Sequence, residues 1–136
     1  RLPQAVDRAR HLKLGPGTLS DVEWFVQLLQ LEHAHAHPAM QTTGTLPALF
    51  AAVDAGIVTS TAASRLADAW RLASRLRSAN TLLSGQTSDV LPIDRRQLDG
   101  IGRLLGYPPR SATAVEEDYF GTARRARRIF EKLFFG

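Results

Sequence analysis

Apolar residues recur at spacings of three and four from one end of this chain to the other, and no stretch alternates with the period of two that a half-buried strand requires. The pattern predicts an all-α fold, an antiparallel helical bundle of about six helices occupying residues 1–136 as one domain. A chain of 136 residues is long enough to bury a core. Hydrophobic residues make up 44% and charged residues 22%, which is a globular balance and not that of a disordered segment.

Breakers and caps divide the chain. A first short helix is expected from Pro3 to Leu12, ended by Gly15-Pro16-Gly17. Ser20 and Glu23 have the spacing of a capping box and lead into Val22, Trp24, Phe25, Val26, Leu28, Leu29 and Leu31. A helix so apolar around its circumference is expected to be central and packed on several sides. Pro38 closes it, and Thr45 caps a short helix with Pro47 in its first turn and Gly56 just past its end. The longest helix is predicted from Ser60 to Ser84, stopped by Gly85, and Asp94 with Gln97 opens another that ends at Gly106. The final helix is placed over Ser111 to Phe135, with Val115, Tyr119, Thr122, Ala126, Ile129 and Leu133 on its inner stripe and Arg125, Arg128 and Lys132 opposite.

Several classes of function are excluded or disfavoured. Without cysteine there are no disulfides, thiolate metal sites or cysteine nucleophiles, and a reducing cytoplasm fits. No apolar run approaches the roughly 18 to 20 residues of a membrane helix, so no membrane role is expected. The net charge is +4, and nearly all of the basic residues are arginine, Lys13 and Lys132 being the only lysines. No stacking aromatics are interleaved with them as a single-strand platform requires, so nucleic acid is not expected as a partner. Met40 is the only methionine, and the chain is read as a piece of a longer protein or a processed product.

The richest stretch runs from Lys13 to Trp24. A glycine-rich turn entering a helix offers free N–H groups and the positive end of the helix dipole to an anion, although Gly15 and Gly17 lack the Gly-Lys-Ser/Thr ending of a P-loop. On spacing alone this is a structural turn, with an anion cradle as the alternative. Asp21 and Glu23 have the look of metal carboxylates, but residues two apart on a helix point about 200° away from each other. The expected roles are that Glu23 closes the capping box and Asp21 complements the dipole. Of His33, His35 and His37, only the first and last share a helical face, and no metal site is expected.

Arg71 and Arg75 lie with Ser78 on a polar stripe of the long helix. They are either solvated or paired, Arg71 with Asp68 for instance, or else aimed at phosphate or carboxylate on a neighbouring domain. Arg124, Arg125, Arg128 and Lys132, with Arg127 among them, form a solvated face or a docking surface for an acidic partner. No nucleophile stands beside a base and no carboxylate dyad is present, so a self-contained active site is not expected.

Lys-Leu-Gly-Pro-Gly-Thr-Leu-Ser-Asp-Val-Glu-Trp-Phe-Val-Gln-Leu-Leu-Gln, residues 13–30, resembles the signature that glutamine synthetase adenylyltransferases carry just after each of their two nucleotidyltransferase domains. Thr43 to Leu49, Ala69 to Arg77, Leu104 to Pro108 and the closing arginine-rich helix resemble later parts of the same helical region. The Ser-Asp-Val-Glu-Trp form is similar to the region after the second domain, the adenylylating half.

The resemblance implies a cytoplasmic enzyme of two halves. One transfers AMP from ATP to a tyrosine of glutamine synthetase and the other removes it by phosphorolysis, under control of a PII signalling protein and glutamine. It places ATP and the Mg²⁺-binding aspartates in the nucleotidyltransferase domains, outside this sequence. This region is then a helical accessory that is not catalytic alone and presents Gly15, Gly17, Asp21, Glu23, Arg71 and Arg75 to substrate or to the adjacent domain. The alternative it leaves is a docking or regulatory module that binds glutamine synthetase or PII through the basic last helix. Thr18 departs from the signature, standing where the family has a second glycine; a β-branched residue enters the left-handed region with difficulty, which puts close approach of the backbone to nucleotide in doubt there.

Overall fold

A computed structural model describes residues 7–135, and they form five α-helices with short 3-10 turns and no strand. Helix α1 spans Leu19–His33, α2 Thr45–Asp54, α3 Ser60–Ser84, α4 Arg95–Leu104 and α5 Ala112–Phe135. The all-α expectation holds, with five α-helices among the described residues in place of about six.

The difference lies at the start of the chain. Part of the helix expected from Pro3 to Leu12 lies outside the described residues, and within them only Arg8–Arg10 turns, as a 3-10 element capped by Asp7. The segment does not continue as a helix because its backbone pairs sideways. Leu91 N–H donates to the Arg10 carbonyl at 2.8 Å and Leu12 N–H donates to the Asp89 carbonyl at 2.6 Å, with His11 bridging Val90.

Local chemistry accounts for most helix ends. Thr59 caps α3 by accepting from Ala62 N–H at 3.1 Å, and Gly85 ends it with φ +72°. Asp94 caps α4, accepting from the N–H groups of Arg96 at 2.9 Å and Gln97 at 3.0 Å. Thr45 is the first residue of α2, whose N-cap is Gly44. Helix α1 stops at His33, so His37 lies past its end and the two imidazoles do not share a helical face.

Ser20 is not the cap of α1. The helix begins at Leu19 behind Thr18, and the Leu19 and Ser20 N–H groups donate to the carbonyls of Leu12 at 3.3 Å and Lys13 at 2.8 Å. The preceding loop folds back and satisfies the donors that a side-chain cap would otherwise serve. Glu23 is thereby free of a capping box and accepts instead from Trp70 Nε1 at 3.3 Å.

Two apolar clusters make up the core. One joins α1, α2, the first half of α3 and the last turns of α5, through Val22, Phe25, Leu49, Leu66, Ala126 and Phe130. The other joins the second half of α3, α4, the first half of α5, Leu19 at the start of α1 and the loop residues Leu12 and Leu91. The start of α3 thus packs beside the end of α5 and its end beside the start of α5, so these two long helices run antiparallel through both clusters.

Two stripes differ from expectation. Helix α1 is covered on one side and not all round, since Trp24 is 57% and Leu31 82% exposed. In α5 the buried apolar side chains are Ala112, Val115, Tyr119, Ala123, Ala126 and Phe130, while Leu133 is half exposed. A strict four-three repeat averages 3.5 residues per turn and a straight helix 3.6, so the buried line slips one position forward along the helix. Among the described residues no helix is long and apolar enough to cross a membrane.

Candidate functional site

The glycine-rich turn and the arginine-rich helix, 106 residues apart, meet face to face. Gly17 has φ +73°, and an added Cβ would lie 2.8 Å from the Ala123 carbonyl carbon and 3.0 Å from the Arg127 nitrogen. Only a residue without a side chain lets the loop sit on the backbone of α5 here. Gly15 is equally crowded, its missing Cβ falling 2.5 Å from the His11 carbonyl oxygen and 2.7 Å from that of Arg8.

Thr18 needs no left-handed backbone, because its φ is −106° and Gly17 supplies the turn. Its buried hydroxyl donates to the Gly15 carbonyl at 2.6 Å, so the departure from the signature is accommodated as a loop brace.

Asp21 holds the junction. Its carboxylate accepts from Gly17 N–H at 2.7 Å and from Arg127 Nη1 at 3.0 Å. Arg127 also stands 3.6 Å from Glu131 and lies over the Phe130 ring at 4.9 Å. The Gly17 donor that a phosphate would need is therefore already used, and the turn is a clamp of loop to helix. Asp21 and Glu23 are each engaged by a different donor, Arg127 in one case and Trp70 in the other, and the pair does not fit a magnesium ion. Among the described residues no three His, Cys, Asp or Glu side chains come together as metal ligands.

Arg71 and Arg75 are not brought to this junction. Arg71 is exposed and lies over the Phe50 ring at 5.7 Å, which replaces the pair expected with Asp68. Arg75, also exposed, donates to the Leu105 carbonyl at 3.3 Å and edges a shallow groove with Ala79, Leu82 and Leu104. The basic residues of α5 separate as well. Arg124 and Arg128 line a depression beside the clamp, whereas Arg125 turns to a polar groove with Ser60, Ser64, Arg65 and Asp68 at the start of α3. Lys132 is exposed near the end of the helix.

A second anchor lies at the other end of α5. Glu116 accepts from Arg10 Nη2 at 2.6 Å and from Arg95 Nη2 at 2.8 Å, tying the first segment and α4 to α5. Arg10 is buried, and its Nε also donates to the Leu91 carbonyl at 3.0 Å. The hydrogen bond from Arg95, followed by that from Arg10, holds the Glu116 carboxyl below its ordinary range. Nearby, burial and a hydrogen bond donated to Asp118 push the Tyr107 phenol up to about 12. Burial also raises Tyr119, whose hydroxyl has no hydrogen-bond partner among the described residues.

Sequence reasoning missed Arg10, Glu116 and the pairing of Arg127 with Asp21. Arg127 carried a usable signal, since it lies four after Ala123 and three before Phe130 and so borders the buried line of α5. Arg10 and Glu116 carried none, because their pairing depends on how distant segments dock.

The family model described as GlnD PII-uridylyltransferase matches residues 3–134. Over 136 residues, 100% of this chain, the sequence is 60% identical to the bifunctional glutamine synthetase adenylyltransferase/adenylyl-removing enzyme of Leifsonia xyli subsp. xyli and 47% identical to that of Streptomyces avermitilis. It is 41% identical to the Mycobacterium avium protein of the same description over 134 residues, 98% of this chain. The chain spans 14% of the length of the first two relatives and 13% of the third. The resemblance read from residues 13–30 thus extends along the whole sequence, and the chain belongs to the GlnD PII-uridylyltransferase family.

Proposed function

We propose that this chain is a helical accessory region of a bifunctional glutamine synthetase adenylyltransferase, buttressing a nucleotidyltransferase domain and inactive without it. The observation that carries this reading is similarity along the whole chain to a segment amounting to 14% of such relatives. The geometry supports a scaffold. The turn from Gly15 to Asp21 is locked onto α5 by close backbone packing and the Asp21–Arg127 bridge, so it presents a rigid edge instead of a mobile loop.

In this reading the complete cytoplasmic enzyme moves AMP between ATP and a glutamine synthetase tyrosine. Mg²⁺ and ATP are held by the catalytic domains, and the region follows the second, adenylylating one. Arg71 and Arg75 are the candidates for contact with that domain, because both guanidiniums are exposed on one stretch of α3. The deciding experiment is AMP transfer to glutamine synthetase by the catalytic domain, with and without this region. The reading requires a large fall when it is removed and no Mg²⁺-dependent transfer by the region alone. Transfer by the isolated region overturns it.

A second reading is favoured by the exposure of Arg124, Arg125, Arg128 and Lys132: the last helix docks glutamine synthetase or a PII signalling protein. Charge reversal at these four positions then weakens partner binding while leaving the basal rate of the catalytic domain intact. A basal rate that falls with unchanged partner binding favours the scaffold.

A further inference from the structure

Beside the clamp, a depression of about 480 Å³ opens between the glycine turn and α5, lined by Arg124, Arg127, Arg128 and Glu131 over a wall that includes Pro16 and Phe120. Its charge is unbalanced. Arg127 is committed to Asp21, and Glu131, the one acid of the lining among the described residues, stands 3.6 Å from Arg127. Arg124 and Arg128 make no ion pair among the described residues, and one helical turn separates them on the same face.

Two unpaired guanidiniums over an apolar wall form a recognition pattern. Guanidinium forks match the several acceptor oxygens of a phosphoryl group better than a single carboxylate uses them. A depression of this size with a few convergent polar groups suits a small organic molecule. The Pro16 and Phe120 surfaces would gain nothing from a bare ion.

We propose that this depression binds a small organic phosphate, its phosphoryl group on Arg124 and Arg128 and its apolar body against Pro16 and Phe120. The site is distinct from the accessory role proposed above and stands or falls without it. It also adjoins the Asp21–Arg127 bridge, which occupies Arg127 and leaves Arg124 and Arg128 as the cations open to the ligand.

The test is calorimetric titration of the 136-residue chain with phenyl phosphate, inorganic phosphate and benzoate. Phenyl phosphate should saturate one site with a Kd of about 1 mM or tighter, ahead of both other probes. Binding should weaken about tenfold in the Arg124→Gln/Arg128→Gln variant and stay unchanged in Arg125→Gln, which removes one such charge on another face. Both variants remove exposed charges that make no ion pair among the described residues, and an unchanged unfolding midpoint confirms that the fold is intact. The proposal is overturned by absence of saturation, by benzoate or inorganic phosphate binding as tightly as phenyl phosphate, or by an equal loss in Arg125→Gln.

Discussion

The carboxylate of Asp21 bridges the Gly17 N–H, four residues before it, and the Arg127 guanidinium, 106 residues after it, at 2.7 and 3.0 Å. One side chain thus shapes the turn and attaches it to the last helix. This contact changes what substitution at Asp21 reports, because the residue is a half-buried partner and not a free charge at a helix start.

Asp21→Ala should therefore destabilise the chain by about 1.5 to 3 kcal/mol, the range for losing a charged hydrogen-bond partner. Arg75→Ala, which removes one long bond to an exposed carbonyl, should stay within about 0.5 kcal/mol. Urea denaturation of both variants checks the contrast. Equal midpoints would mean that the Asp21 bridge adds nothing to the fold.

Gly17→Ala should cost roughly 2 to 5 kcal/mol, because the new methyl group meets the Ala123 carbonyl and the backbone is left-handed there. Gly85 has nearly the same φ with nothing within 4 Å, so Gly85→Ala should cost only the left-handed penalty of about 1 to 2 kcal/mol. The two thermal midpoints, measured together, separate close packing from backbone strain.

Thr59→Ala should lower stability by about 0.5 to 2 kcal/mol through loss of the α3 cap. Ser20→Ala should be nearly silent, within about 0.5 kcal/mol, since the first N–H groups of α1 are served by loop carbonyls. A larger effect at Ser20 than at Thr59 would reverse the assignment of these helix starts.

Acid should weaken the anchor at Glu116. Its folded carboxyl titrates below the ordinary value of 4.5, so its contribution is complete above that value and is lost as pH falls through the depressed one. Unfolding midpoints followed from neutral pH downward should show an acid limb that Glu116→Gln flattens, with a loss of about 1.5 to 3 kcal/mol at neutral pH. A limb of the same steepness in both proteins would assign it to other carboxylates.

Tyr119→Phe should leave stability unchanged or raise it by about 1 kcal/mol, because it removes a buried hydroxyl with no partner among the described residues. A clear loss of stability would show that the hydroxyl is hydrogen-bonded in solution.

The helical class, the limits of α3 and the capping of α4 by Asp94 were legible in the sequence, because each rests on interactions within a few residues. Helix period and a terminating glycine are local properties, and Ser60 to Ser84 was bounded by them alone. The residues of the candidate site were legible in part. Gly15, Gly17 and Asp21 stood out, but their role as a clamp did not, since Arg127 and Ala123 lie more than 100 positions away. The same reason explains the start of α1, where Leu12 and Lys13 carbonyls displaced the cap expected at Ser20, and the stretch from Arg10 to Leu12, which pairs with residues 89–91 instead of continuing as a helix. The sequence by itself determined where the chain coils and where it must turn. Only tertiary structure decided which donors and charges were already spent, because hydrogen bonds and ion pairs are allotted by proximity in space, which local spacing does not encode.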